Sequence, residues 1–199
     1  MQKQTLKFSN ATLAIIVLVT SLLVMLLTND AVAKEYTNFS PLVAMSLFTG
    51  CYFKNRFQSI LFTLLLLVIT DLYVMLVVYQ GQYGIIYGGW YIKYGIFIGI
   101  TLLARLMLYK VNTTTVLLTG AVSVLGHWLI SNFTVWLGGG INVATGLPLQ
   151  KSFSGILQCY YQALPFLRNL LVATMVYSGV MFGIYEYAKR KVATPSVAR

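Results

Sequence analysis

The sequence predicts an all-α integral membrane protein, a single domain built as a six-transmembrane-helix bundle. Three observations carry that expectation. Of 199 residues, 58% are hydrophobic and only 9% are charged, against roughly a quarter charged in soluble domains. Apolar runs near the length of a bilayer span recur six times. The 14 lysines and arginines, which set a formal net charge of +10, stand at the ends of those runs. That is the pattern of the positive-inside rule, and it excludes the clustered basic face of a nucleic-acid binder. Two cysteines, Cys51 and Cys159, give no disulfide framework.

The first expected span, 11–28, follows Lys3 and Lys7 and is itself followed by Ala31-Val32-Ala33, a resemblance to a signal peptide. Its apolar run of 18 residues is longer than the usual signal core of about 7 to 15, which favours an uncleaved helix. The second span, 41–53, is short, about 20 Å of helix against a hydrocarbon core of about 30 Å. Ser40 and Pro41 mark its start. Its Ser46-x-x-x-Gly50 face suits close packing against protein, either within the bundle or with a partner.

The third span, 58–78, holds Asp71, a carboxylate that needs a cation at membrane depth. Lys93 and Arg168 both qualify, and the alternatives are a functional group or a register-fixing ion pair. The connection 79–91 alternates glycines with Tyr83, Tyr87 and Trp90. It reads equally as an interfacial aromatic belt or as a lid over an outer pocket. The fourth span, 91–109, and the sixth, 165–187, carry Gly95-x-x-x-Gly99 and Gly179-x-x-x-Gly183. Packing inside the bundle is the expected use of both, with partner docking the alternative. The fifth span, 113–130, ends near His127 and Trp128.

Placing both termini in the cytoplasm puts Lys3, Lys7, Lys54, Arg56, Arg105, Lys110, Lys189, Arg190, Lys191 and Arg199 inside. Only Lys34, Lys93, Lys151 and Arg168 then lie outside, as the positive-inside rule asks. The stretch 131–164 becomes a long outer loop rich in aromatic rings, glycines and amides, a composition suited to binding. A pocket beneath it is expected to draw on Asp71, His127, Trp128, Asn132, Trp136 and Arg168.

One histidine and four acids assemble no catalytic triad, paired carboxylates or metal cluster, so no catalytic residue, metal or cofactor is expected. An intramembrane enzyme using Asp71 and His127 is the weakest alternative. The chain has no phosphate-cradling G-x-x-x-x-G-K motif and should not hydrolyse nucleotide.

The segments NFSPLVAMSLFTGCYF (38–53), SNFTVWL (131–137) and CYYQALPFLRN (159–169) resemble those of a family of small bacterial integral membrane proteins without an assigned activity. That family in turn resembles the substrate-binding S components of energy-coupling-factor (ECF) vitamin transporters. The shared positions are Asn38, Pro41, Gly50, Asn132, Trp136, Pro165, Arg168 and Asn169. The resemblance implies an S-component-like bundle in the bacterial inner membrane. Such a protein binds a vitamin or related solute from outside and depends on a separate coupling subunit and ATPases. S components often dock that subunit through small residues on the first helix. Here that helix has only Ala11-x-x-Ala14 and Thr20-Ser21, and the Ser46–Gly50 face is the alternative. The rival function is an accessory or assembly protein that binds another membrane protein.

Overall fold

The computed structural model describes residues 10–33, 38–82, 84 and 88–193. Among them the chain is all-helical. Seven α-helices follow in order: α1 (Asn10–Ala33), α2 (Leu42–Tyr52), α3 (Arg56–Tyr73), α4 (Trp90–Met107), α5 (Thr113–Leu137), α6 (Phe153–Gln162) and α7 (Leu164–Ala193). A π-helical segment of 5 residues, Val74–Val78, continues α3. Four of these segments are long and apolar enough to cross a membrane: Arg56–Val78, Trp90–Met107, Thr113–Leu137 and Leu164–Lys191. Their outward faces are apolar, as with Leu61, Leu65 and Val68 on α3 or Val172, Val176 and Val180 on α7. An exposed surface of that kind and extent suits lipid and not water. The protein is therefore read as a membrane protein.

The bundle is built around its shortest apolar helix. On α2, Val43, Ala44, Met45, Leu47, Phe48 and Thr49 are all 0% exposed, and α4, α7, α3, α5 and α1 pack around them. A helix of 11 residues is about 16 Å long, too short to span and with no lipid-facing side, so packing replaces spanning. Ser40 Oγ accepts from Leu42 N at 3.3 Å, and Pro41 O accepts from Met45 N at 2.8 Å, which fixes the helix start. On the opposite end of α2, the Phe48 ring lies edge-on to Phe182 and Tyr185 of α7, at 5.4 and 5.3 Å. The Tyr52 hydroxyl there donates to Glu186 at 2.8 Å.

Buried hydroxyls tie α2, α3 and α4 together. Thr63 lies 2.7 Å from the Thr49 hydroxyl and 2.9 Å from that of Thr101. Thr101 also donates to the Phe97 carbonyl of its own helix, so each oxygen in this apolar surrounding is satisfied. At the basic end of the bundle, Arg105 of α4 closes the α2–α3 turn. Its guanidinium donates to Phe53 O at 2.7 Å, Ser59 Oγ at 3.0 Å and Lys54 O at 3.1 Å.

Two sequence expectations change. The stretch 131–164 is not one long loop, because α5 continues through Leu137 and Phe153–Gln162 forms α6. The continuation gives 131–137 intrahelical hydrogen bonds, and the Ser152 side chain caps α6 by accepting from Gly155 N at 3.2 Å, which frees the chain from loop geometry. The glycine pairs also differ from the packing expected of them. Gly50 meets α4 directly, whereas Gly95, Gly99, Gly179 and Gly183 are exposed and have nothing within 4 Å of where a Cβ would stand. Both pairs lie on outward faces because the opposite faces, with Ile96, Phe97 and Ile100 on α4 and Met181, Phe182 and Tyr185 on α7, hold the core.

Candidate functional site

The end of the bundle away from Arg105 opens into a cavity of about 1230 Å³. The start of α4, the last turns of α5, and the α6–α7 corner enclose it. Three of the six residues expected to form a pocket line it: His127, Trp128 and Asn132. They share one side of α5 because positions i, i+1 and i+5 fall within about 140° of one another around the helix.

Each is held by a specific contact. The Trp128 indole donates to Ala163 O at 3.0 Å, and its ring lies 4.9 Å from that of Tyr160. Asn132 Nδ2 donates to Trp128 O at 2.7 Å. The His127 ring meets Phe97 edge-on at 5.5 Å.

Helix α6 is cross-linked to the end of α5 through backbone carbonyls. Tyr160 OH donates to Leu129 O at 2.8 Å, and the Cys159 thiol to Asn132 O at 3.4 Å. Burial pushes the Cys159 thiol and the Tyr160 phenol above their ordinary pKa values, which keeps both in the protonated form that can donate. Gln162, at the end of α6, reaches over the cavity rim. It donates to Ile141 O at 2.9 Å and accepts from Val143 N at 3.2 Å, pinning the turn that follows α5. Gln162 is suggested by no one-residue signal in the sequence, and Cys159 only weakly, as a lone thiol on the expected outer side. The Ser152-x-x-Gly155 cap is the signal that would have found the helix carrying them.

The other three expected residues lie elsewhere. Asp71 is buried beside the cavity and not on its wall; Lys93 Nζ lies 2.5 Å from its Oδ1, which settles its cation as Lys93. Lys93 itself lines the cavity. Trp136 is a correction: its indole N–H needs an acceptor and finds Gln150 O at 2.9 Å, while Lys151 sits 5.1 Å over its ring and donates to Trp136 O and Leu137 O. The side chain latches the 138–152 turn to the helix end. Arg168 is also a correction. On α7 the cavity is met by Phe166 and Leu170, and position 168 projects about 200° around the helix from 166. Arg168 is exposed, with Nη2 3.4 Å from Asn169 Oδ1.

Of the expected lid, Tyr83 and Tyr87 lie outside the described residues. Trp90 is exposed at the start of α4, its ring 5.3 Å from that of Tyr94. Asn38, singled out by the family resemblance, lines the cavity with a left-handed φ of 68°, a conformation that asparagine tolerates better than most side chains. Among the described residues, no group of three or more His, Cys, Asp and Glu side chains gathers as a metal site would.

The arrangement can hold a small molecule between the Trp128 wall and the α4 start, with polar groups at a few fixed points. No curated protein and no solved structure matches the chain. Residues 4–197 match a family of unknown function, DUF6580, and the chain belongs to that family.

Proposed function

We propose that the protein is a solute-binding membrane subunit of a transporter, taking a small molecule into the cavity that His127, Trp128 and Asn132 line. The observation that supports this most is the cavity itself: about 1230 Å³, ample for a small organic ligand, with apolar walls and a few placed polar groups. Six membrane-embedded helices, termini in the cytoplasm of a bacterial inner membrane and an S-component-like arrangement belong to the same proposal. In that orientation the cavity opens outward and the Arg105 end faces the cytoplasm. Uptake then depends on a separate coupling subunit and ATPases. Native mass spectrometry of the tagged protein from its own membrane tests this. A retained mass of a few hundred daltons, lost when Ser131→Trp fills the cavity, is the expected result. No retained mass, together with no change in companions between the two proteins, would sink the proposal.

A second reading has one observation in its favour. The Gly95/Gly99 and Gly179/Gly183 faces are exposed, and small-residue faces left open on membrane helices suit another helix. An accessory protein that docks a second membrane protein through them would bring that partner into the same spectrum, and Gly95→Leu or Gly179→Leu would remove it.

A further inference from the structure

We infer that the solute carries an anionic group, a carboxylate or a phosphate ester, which seats against Lys93 at the start of α4. This rests on the solute-binding reading and names the class of molecule bound. Among the described residues lining the cavity, Lys93 alone carries a full formal charge at neutral pH, and no Asp or Glu stands on the wall. Its partner Asp71 approaches from the protein side. The Lys93 side chain is 30% exposed and that of Asp71 12%, so the pair turns its cationic end to the cavity. Asp71 thereby fixes the ammonium in place without reaching the ligand.

Backbone geometry adds to the same field. Lys93 lies in the first turn of an 18-residue helix whose N-cap, Gly89, provides no side-chain cap. Gly88 and Gly89 both line the cavity beside Tyr91 and Ile92, so the positive end of the helix dipole borders the ligand space. In surroundings of low dielectric, an anion is bound only where a cation and N–H donors meet it. The remaining wall, Trp128, Phe166 and Leu170 with His127 at its edge, suits an apolar or planar body for the rest of the molecule.

Small ionic quenchers test the charge of the cavity directly, whatever the solute. In the variant Trp90→Phe/Trp136→Phe, Trp128 is the sole tryptophan and reports from the cavity wall. In nanodiscs of zwitterionic lipid, its fluorescence is quenched with iodide, caesium and neutral acrylamide. Each quencher is scaled to its effect on free N-acetyltryptophanamide, because iodide is intrinsically the better quencher of indole, and on that scale iodide should be at least about threefold more effective than caesium. Adding Asp71→Asn/Lys93→Met, a neutral pair of similar shape, should erase that preference while acrylamide quenching stays unchanged. Caesium matching iodide, or an iodide preference that survives the double substitution, overturns the anion assignment. Failure of acrylamide to reach Trp128 overturns the solute-binding reading beneath it.

Benzoate and phenyl phosphate, used as competitors, should shield Trp128 from acrylamide more than benzyl alcohol does. The stronger of the two names the anionic group. Shielding no greater than that of benzyl alcohol counts against an anionic ligand.

Discussion

Gly50 stands so close to α4 that a Cβ on it would lie 2.3 Å from the Thr101 carbonyl oxygen and 2.8 Å from the Ala104 Cβ. Backbone and a helix-bound methyl cannot swing aside as a flexible side chain can, so α2 and α4 would have to separate. The Thr49–Thr63–Thr101 hydroxyl bonds sit next to that contact and would stretch with it. Gly50→Ala is expected to destabilise the protein by about 3 kcal/mol, the upper part of the range for overpacking a close contact. Gly95→Ala and Gly99→Ala, where a Cβ meets nothing, should instead stabilise slightly, by up to about 1 kcal/mol of helix propensity. Thermal unfolding of the three variants in one detergent compares them directly, and equal midpoints for Gly50→Ala and Gly99→Ala would refute the close-packing account.

The ion pair between Asp71 and Lys93 predicts a coupled response. Removing either partner leaves the other charged in a poorly solvated place, so Asp71→Asn and Lys93→Met should each cost about 2 kcal/mol. The double variant removes both charges together and should recover most of that loss. A double-mutant cycle on unfolding midpoints measures the coupling, and additive effects would mean that the two side chains do not act as a pair.

Much of this architecture is legible in the sequence because hydropathy and caps are local signals. The Asn112–Thr115 pairing, in which Asn112 Oδ1 accepts from Thr115 N at 2.9 Å and Thr115 Oγ1 from Asn112 N at 3.1 Å, starts α5 where the apolar run begins. The shortness of the 41–53 run points to a helix packed on protein, as α2 is. Rotation about a helix axis is not legible, since it is set by packing between segments distant in the chain. That is why Gly95, Gly179 and Arg168 face outward, and why Trp136 turns to Gln150 instead of the cavity. Helix α6 is hidden for another reason: Phe153, Leu157 and Tyr161 are exposed, so its apolar residues do not mark its buried face. Burial instead falls on Gly155 and Cys159, two small residues that the larger exposed Phe153, Leu157 and Tyr161 outweigh in the apolar pattern.

Arg105 should be irreplaceable by lysine although the charge is kept. Its planar fork donates to Phe53 O, Lys54 O and Ser59 Oγ at once, and a single ammonium on a shorter reach cannot match three acceptors in that spread. Arg105→Lys is expected to cost about 2 kcal/mol, from charge-assisted bonds to groups at the α2–α3 turn. Hydrogen exchange should speed up at 53–60 and remain unchanged around α6. Unaltered exchange at the turn would show that the three contacts hold nothing in place.

Gly155 sets the position of α6 and with it one wall of the cavity. A Cβ there would lie 2.0 Å from Gln150 O and 2.9 Å from the carbon of the same carbonyl, so Gly155→Ala has to push the helix start off the turn that Trp136 latches. Cys159 lies one turn further on, buried against α5, and reports the displacement. Maleimide labelling in a Cys51→Ser background measures it, because the thiolate is the reactive form and burial holds this thiol above its ordinary pKa. Labelling of the parent should be slow at pH 7 and rise with pH as the thiolate fraction grows. In Gly155→Ala, relief of burial lowers that pKa and opens access, so labelling at pH 7 should rise roughly tenfold, the equivalent of about 1.4 kcal/mol of local opening. The same variant should lose the shielding of Trp128 by the anionic competitor, since Gln162 and Ala163 move with Cys159. Parent-like labelling would show that α6 tolerates the methyl group, and that Gly155 does not set the cavity wall.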